Sequence, residues 1–137
     1  MVNPTLSLHS LAKEHYALVR IGGEMDIASA PATLDCLLRA LARRQARLVV
    51  DVRRVVFADA TGVGVLLTAG RSAAREGGWV RLVAPGSQLR RVLDILQVTA
   101  LLPVYESVLE AAAVPPTGTF TPAPELRARG VSKSGDQ

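Results

Sequence analysis

Asp59 and Thr61 are the residues of this chain best placed to do chemistry, because of where they fall. They lie in Phe57-Ala58-Asp59-Ala60-Thr61-Gly62-Val63-Gly64-Val65-Leu66-Leu67, just after a short apolar strand at 48–52 (Leu-Val-Val-Asp-Val). A strand that gives way here to an amphipathic helix sets a carboxylate and a hydroxyl beside backbone N–H groups with no partner inside the helix. Such a corner favours added negative charge, so it can hold a phosphate or dock an acidic group of a partner. Asp59 reads as the helix N-cap, a role compatible with touching a partner. Thr61 reads as a cap, through its side-chain oxygen on an early N–H. Gly62 and Gly64 ease backbone approach or relax the helix start. They make no nucleotide loop, because the third glycine and the lysine of a P-loop are missing. Glu24 and Asp26 follow a strand in a loop, a common place for solvated carboxylates.

Other chemistries find little support. Cys36 is the single cysteine, which excludes an intramolecular disulfide and a multi-cysteine metal site and points to a reducing compartment. It reads as an inert side chain on a helix. His9 and His15 fall in the first hairpin, far along the chain from residue 59, and neither is expected to be catalytic. An enzyme would have to use Asp59 and Asp26 as paired carboxylates, and nothing else supplies a pocket or positioning groups. The expectation is a binding domain without catalytic residues, metal or cofactor. Sixteen basic against twelve acidic residues leave a net charge of +4, most of it from arginine. Those arginines spread over at least four predicted elements, and no aromatic residues interleave them as a single-strand platform requires. They read as a solvated surface, not a nucleic-acid site. The first ten residues lack the basic and apolar regions of a signal peptide, and no window reaches 18 uninterrupted apolar residues. The expected location is the cytoplasm.

The elements that must hold the corner follow from the rest of the chain. Its 137 residues, 49% hydrophobic and 4% aromatic, suit one domain with an aliphatic core. Strands at 5–9 and 16–22 are joined by the polar Lys13-Glu14-His15 and pair as a hairpin. A helix opens at Ser29 or Ala30 with Pro31 in its first turn. Its apolar stripe is Leu34, Leu37, Leu38 and Leu41, with Cys36 off the stripe. A strand at 47–52 precedes the helix at 61–76, whose inner face is Val63, Leu66, Leu67, Gly70 and Ala74. Gly77-Gly78 stops that helix. A strand at 79–84 runs to the Pro85-Gly86-Ser87 turn, and Ser87 is the expected N-cap of a helix carrying Leu89, Val92, Leu93 and Leu96. A strand at 102–105 and a helix at 106–113 complete a domain at 1–114. Strands separated by helices imply parallel pairing. The expected fold is α/β: a mixed, mostly parallel sheet with an antiparallel N-terminal hairpin and about four helices. Residues 115–137, with four prolines among residues 115–124 and no periodicity, read as a disordered tail.

Taken in order, these segments resemble the STAS domain, the family of bacterial anti-sigma factor antagonists, over about residues 5–112. Gly23-Glu24-Met25-Asp26 with Ala30-Pro31 resembles the family's Gly-Glu-Leu-Asp segment. Leu48–Val52 through Asp59-Ala60-Thr61-Gly62-Val63-Gly64-Val65-Leu66 resembles its strand and its Asp-Ser-Ser/Thr-Gly-Leu-Gly signature. Gly77-Gly78, Gln88-Leu89-Arg90-Arg91-Val92-Leu93 and Leu102-Pro103-Val104-Tyr105-Glu106-Ser107 fit the remainder. The resemblance implies partner exchange. The antagonist binds an anti-sigma factor that is also a serine kinase with a histidine-kinase-like ATPase fold, frees the sigma factor, and is expelled once phosphorylated. It makes Glu24, Asp26, Asp59, Ala60, Thr61, Gly62, Val63 and Gly64 the expected partner-binding residues. The runner-up is a scaffold role in a stressosome-like or lipid-transport complex. One departure matters: the family's modified hydroxyl usually follows the aspartate directly, and Ala60 stands there. Thr61 is then the only phosphoacceptor at the motif, one position off, and the domain is expected to work without the usual phosphorylation.

Overall fold

The structure is a computed structural model, and it describes residues 6–114 apart from positions 14 and 44. The expected tail at 115–137 and the first residue of the expected 5–9 strand lie outside the described residues. Strands β1 (Ser7–Ala12) and β2 (Ala17–Met25) form the antiparallel hairpin, with His9 opposite Arg20. The chain then alternates through α1 (Ala30–Leu41), β3 (Arg47–Ala58), α2 (Ala60–Arg75), β4 (Trp79–Val83), α3 (Ser87–Leu96), β5 (Val104–Tyr105) and α4 (Val108–Ala113). The sheet order is β1-β2-β3-β4-β5, and every pair from β2 onward is parallel. Right-handed crossovers between successive parallel neighbours put all the connecting helices on one face. Accordingly Leu37 of α1, Leu66 of α2 and Leu93 of α3 share a front-face core with Leu48, Val50, Val52 and Leu82. This is the mixed, mostly parallel α/β sheet with four helices that the sequence leads one to expect.

The other face of the sheet is only partly covered. Strand alternation sends Leu18, Val49 and Val83 to the back, where Ala111 of α4 packs on them. Between them lies Arg81, 4% exposed. Its guanidinium carbon sits 3.7 Å from the centroid of the Trp79 ring. Its Nη1 donates to the carbonyls of Ala111 and Val114 at 2.8 and 2.7 Å. A buried cation is thus held by a ring face and by the carbonyl end of α4, where the helix dipole is negative. Nothing in the spacing of the sequence marks this arginine among the others.

Several boundaries differ from expectation, each for a physical reason. β3 runs on to Ala58 instead of stopping at 52, and β2 runs to Met25. Their register shifts twice, between Arg20 and Gly22 and between Gly23 and Glu24. In each shift β3 advances one residue more than β2, so its buried positions fall at Val52, Val55 and Ala58. Pairs of residues, Arg53-Arg54 and Val56-Phe57, are left outward. A search for strict alternation loses the strand at the first bulge. In α1 the buried face is Thr33, Leu37, Ala40 and Leu41, while Leu38 is 38% exposed. Thr33 can be buried because its hydroxyl donates to the Ser29 carbonyl at 2.9 Å. In α2, Ala74 is exposed and Ala69 and Ala73 are buried in the inner face. The N-cap of α3 is Gly86, not Ser87, which is its first helical residue.

Candidate functional site

The corner forms where two parallel strands end together. Met25 lies opposite Ala58, and the Asp59 N–H donates to the Met25 carbonyl at 3.2 Å. The loop after β2 and the start of α2 therefore emerge side by side. Asp59 has an extended backbone and is the N-cap, its carboxylate accepting from the Gly62 N–H at 2.9 Å. Its carbonyl accepts from Val63 at 3.0 Å, the first turn of the helix. Asp59 is therefore a capping residue whatever else it does, and Thr61 is not the cap. Thr61 is the second residue of α2 and exposed, as is Ala60 before it.

Gly62 fixes how closely the two elements meet. A Cβ there would lie 2.2 Å from the Met25 carbonyl oxygen, so no other residue fits without moving the strand. Gly64 meets nothing within 4 Å. Of the two roles expected for these glycines, close approach belongs to Gly62, and Gly64 only loosens the helix start. Gly62 and Val63 are both buried. They support the corner from within.

The β2–α1 loop is tied by its own side chains. The Asp26 carboxylate accepts from the Ser29 N–H at 3.0 Å, and Ser29 Oγ accepts from the Asp26 N–H at 2.9 Å. Half-buried Glu24 pairs across the strands with Phe57. Asp26 and Asp59 thus come to neighbouring positions at the strand ends, yet each carboxylate is engaged by a backbone N–H of its own loop. Among the described residues no group of three or more His, Cys, Asp or Glu is placed to hold a metal ion. Recesses of about 590 and 660 Å³ lie elsewhere, on the back of β1–β3 and between α1 and α2, and neither is lined by residues 59–62.

Three further residues shape the corner. Ile27 is 75% exposed at the tip of the loop, and Phe57 is 42% exposed beside Glu24. Ile27 is legible as an apolar residue in a polar loop; Phe57 is turned outward by a bulge that no sequence period reveals. Gln88, the second residue of α3, accepts from the Ala58 N–H at 2.9 Å and donates to the Ala58 carbonyl at 2.7 Å. Its amide takes the place of an adjacent strand beyond the end of β4 and pins α3 to the corner. The same contact fixes where α3 begins.

Cys36 is half-buried on α1 and packs against the front core. Burial, together with the Asp35 carboxylate, raises its thiol pKa above the ordinary 9.0, with Arg39 and Arg43 pulling the other way. His9 lies on β1, away from the corner, and His15 lies in the turn between β1 and β2. Among the described residues no helix is long and apolar enough to cross a membrane.

The comparisons with known proteins agree with this architecture. The family model described as the STAS domain matches residues 10–111. The anti-sigma F factor antagonist of Paenibacillus polymyxa is 25% identical over 95 residues, 69% of this chain and 81% of that protein. The anti-sigma-B factor antagonist of Bacillus subtilis is 34% identical over 77 residues, 56% of this chain and 70% of that protein. A crystal structure of an anti-sigma factor antagonist from Mycobacterium paratuberculosis aligns with a TM-score of 0.71 at 23% identity, covering 79% of this chain and 92% of that one. At that identity the likeness speaks for the fold alone.

Proposed function

The chain belongs to the STAS domain family, and from that premise we propose that it is an anti-sigma factor antagonist, a cytoplasmic, non-enzymatic protein that frees a sigma factor by binding its inhibitor. The observation that carries the reading is the corner itself. Ala60 and Thr61 stand exposed on a helix start held rigidly to β2 by Gly62 and Asp59, with Glu24, Asp26, Ile27 and Phe57 beside them. Small side chains allow close approach, an exposed Ile and Phe supply area to desolvate, and two carboxylates on either side favour a basic counterpart. The partner is an anti-sigma factor with a kinase-like ATPase fold.

In this copy the exchange runs without the usual phosphate. Ala60 has no hydroxyl, and Thr61 points about 100° away around the helix axis. A kinase aligned on position 60 finds the Thr61 hydroxyl misplaced, and a displacement near 1 Å costs roughly 100-fold in rate. A phosphate of about −1.5 to −2 charge beside Asp59 would bring like-charge repulsion into the corner itself and change which partner fits; without it, release comes from competition or from changes in abundance.

The test is to incubate the protein with the anti-sigma factor and ATP and to measure complex formation and intact mass. We expect a complex that persists, no gain of about 80 daltons, and a gain in Ala60→Ser. Thr61→Trp and Ala60→Arg are exposed changes that leave the core alone, and each is expected to weaken the complex more than about tenfold. Phosphate added to the parent and lost in Thr61→Val overturns the phosphate-free reading. Unchanged affinity in both surface variants places the interface elsewhere.

A further inference from the structure

α4 covers the β3–β5 side of the back face and Leu18 near the start of β2, leaving a recess of about 590 Å³ over the rest of β1, β2 and β3. We propose that this recess is a docking groove for an extended acidic segment of a protein partner, separate from the corner at Asp59. Register brings the polar groups together. His9, Arg20 and Asp51 lie in one row across three strands, and Gly22 and Arg54 in the next row. The first bulge turns both Arg53 and Arg54 outward. Three arginines thus face one acid, and that acid is occupied. Asp51 is only 13% exposed at its side chain, accepts from the Arg53 N–H at 3.0 Å, and lies 3.7 Å from the Arg20 Nε. Gly22 leaves the floor unfilled: the Cβ atoms of Ser7 and Arg54 stand 3.4 Å from where its own would be.

The form of the groove selects among anions. Its lining holds no Phe, Tyr or Trp ring to make a stacking platform for successive bases, which disfavours single-stranded nucleic acid. A recess does not match a flat lipid surface, and a net charge of +4 disfavours a second copy of this chain. The two rows of basic groups are two residues apart along the strands, roughly 7 Å. Acidic side chains at alternate positions of an extended segment have the same spacing. β1 beside the groove carries no Lys, Arg, Asp, Glu or Pro in Ser7–Ala12, so its outer edge has none of the residues that keep an incoming backbone away.

The experiment uses the full chain and a fluorescein-labelled octapeptide of alternating Glu and Ser, read by fluorescence anisotropy at about 50 mM salt, where surface charges are least screened. Saturable binding is expected, weakened about tenfold or more by the Arg20→Glu, Arg54→Glu pair. Gly22→Val, which fills the floor without changing charge, is expected to weaken it similarly while the thermal melt stays cooperative. Arg90→Glu with Arg91→Glu on α3 makes the same change in net charge and is expected to shift affinity less than about threefold. Equal losses in the two charge-reversed pairs would reduce the effect to bulk charge and overturn the proposal. So would the absence of saturable binding, or tripolyphosphate or anionic vesicles binding through these arginines when the peptide does not. Ala60→Arg keeps the two surfaces distinguishable: loss of peptide binding in that variant would place the peptide at the corner and sink the groove.

Discussion

At Gly62 one missing methyl group decides whether α2 can start where it does. With the Met25 carbonyl oxygen 2.2 Å from a Cβ, Gly62→Ala has to push strand and helix apart. A loss of about 3 kcal/mol is expected in urea denaturation. Gly64→Ala, two residues on and with nothing within 4 Å, is expected to gain about 0.5–1 kcal/mol by the same measurement, because it only removes backbone freedom from a helix. If both cost alike, the close approach is not what holds the corner. Cys36 gives a pH-dependent case. Its folded pKa is raised, chiefly by burial, so the protonated thiol is the form the fold favours. That contribution is present below the unfolded pKa and is lost as pH rises through the folded value, in the alkaline range. Alkylation by iodoacetamide at pH 8 is expected to run slower in the folded chain than in denaturant, and stability to fall with pH above the ordinary thiol value. An equal alkylation rate in both states would show a thiol fully open to solvent.

The joint between α3 and the end of β3 rests on one amide. Gln88→Ala leaves both the N–H and the carbonyl of Ala58 without their partner. Leaving such groups unpaired costs about 1–3 kcal/mol each where water does not replace the bond. The expected result is a lower unfolding midpoint together with faster amide exchange at Ala58, while Leu48–Val50, paired on both sides, stay protected. Uniform acceleration across β3 would mean that the amide stabilises the whole sheet and not this joint. The same element explains why Ser87, a good capping residue by type, does not cap: α3 is placed by the Gln88 contact rather than by its own first turn.

For the molecule as a whole, α4 and Arg81 close one half of the back face and leave the other half open. Arg81→Leu removes the donor to Ala111 and Val114 and the cation on Trp79, so α4 should loosen. A loss of about 3 kcal/mol and a red-shifted tryptophan emission are expected, since breaking a buried charged contact strands its partners. Truncation after Glu106 should not fold stably. Much of this architecture is legible without coordinates. Residues such as Leu48-Val49-Val50 and the Leu89/Leu93 spacing dictate element type through side-chain period, and helical crossovers between strands dictate parallel pairing and a single helical face. The Asp59–Gly64 segment likewise announces a strand-to-helix corner through local chemistry. The bulges of β3, the outward Phe57, the Gln88 clasp and the buried Arg81 are different in kind. Each depends on which residue of a distant strand or helix lies opposite, a pairing with no local period. Register and packing between separated segments settled them, and with them the makeup of both proposed surfaces.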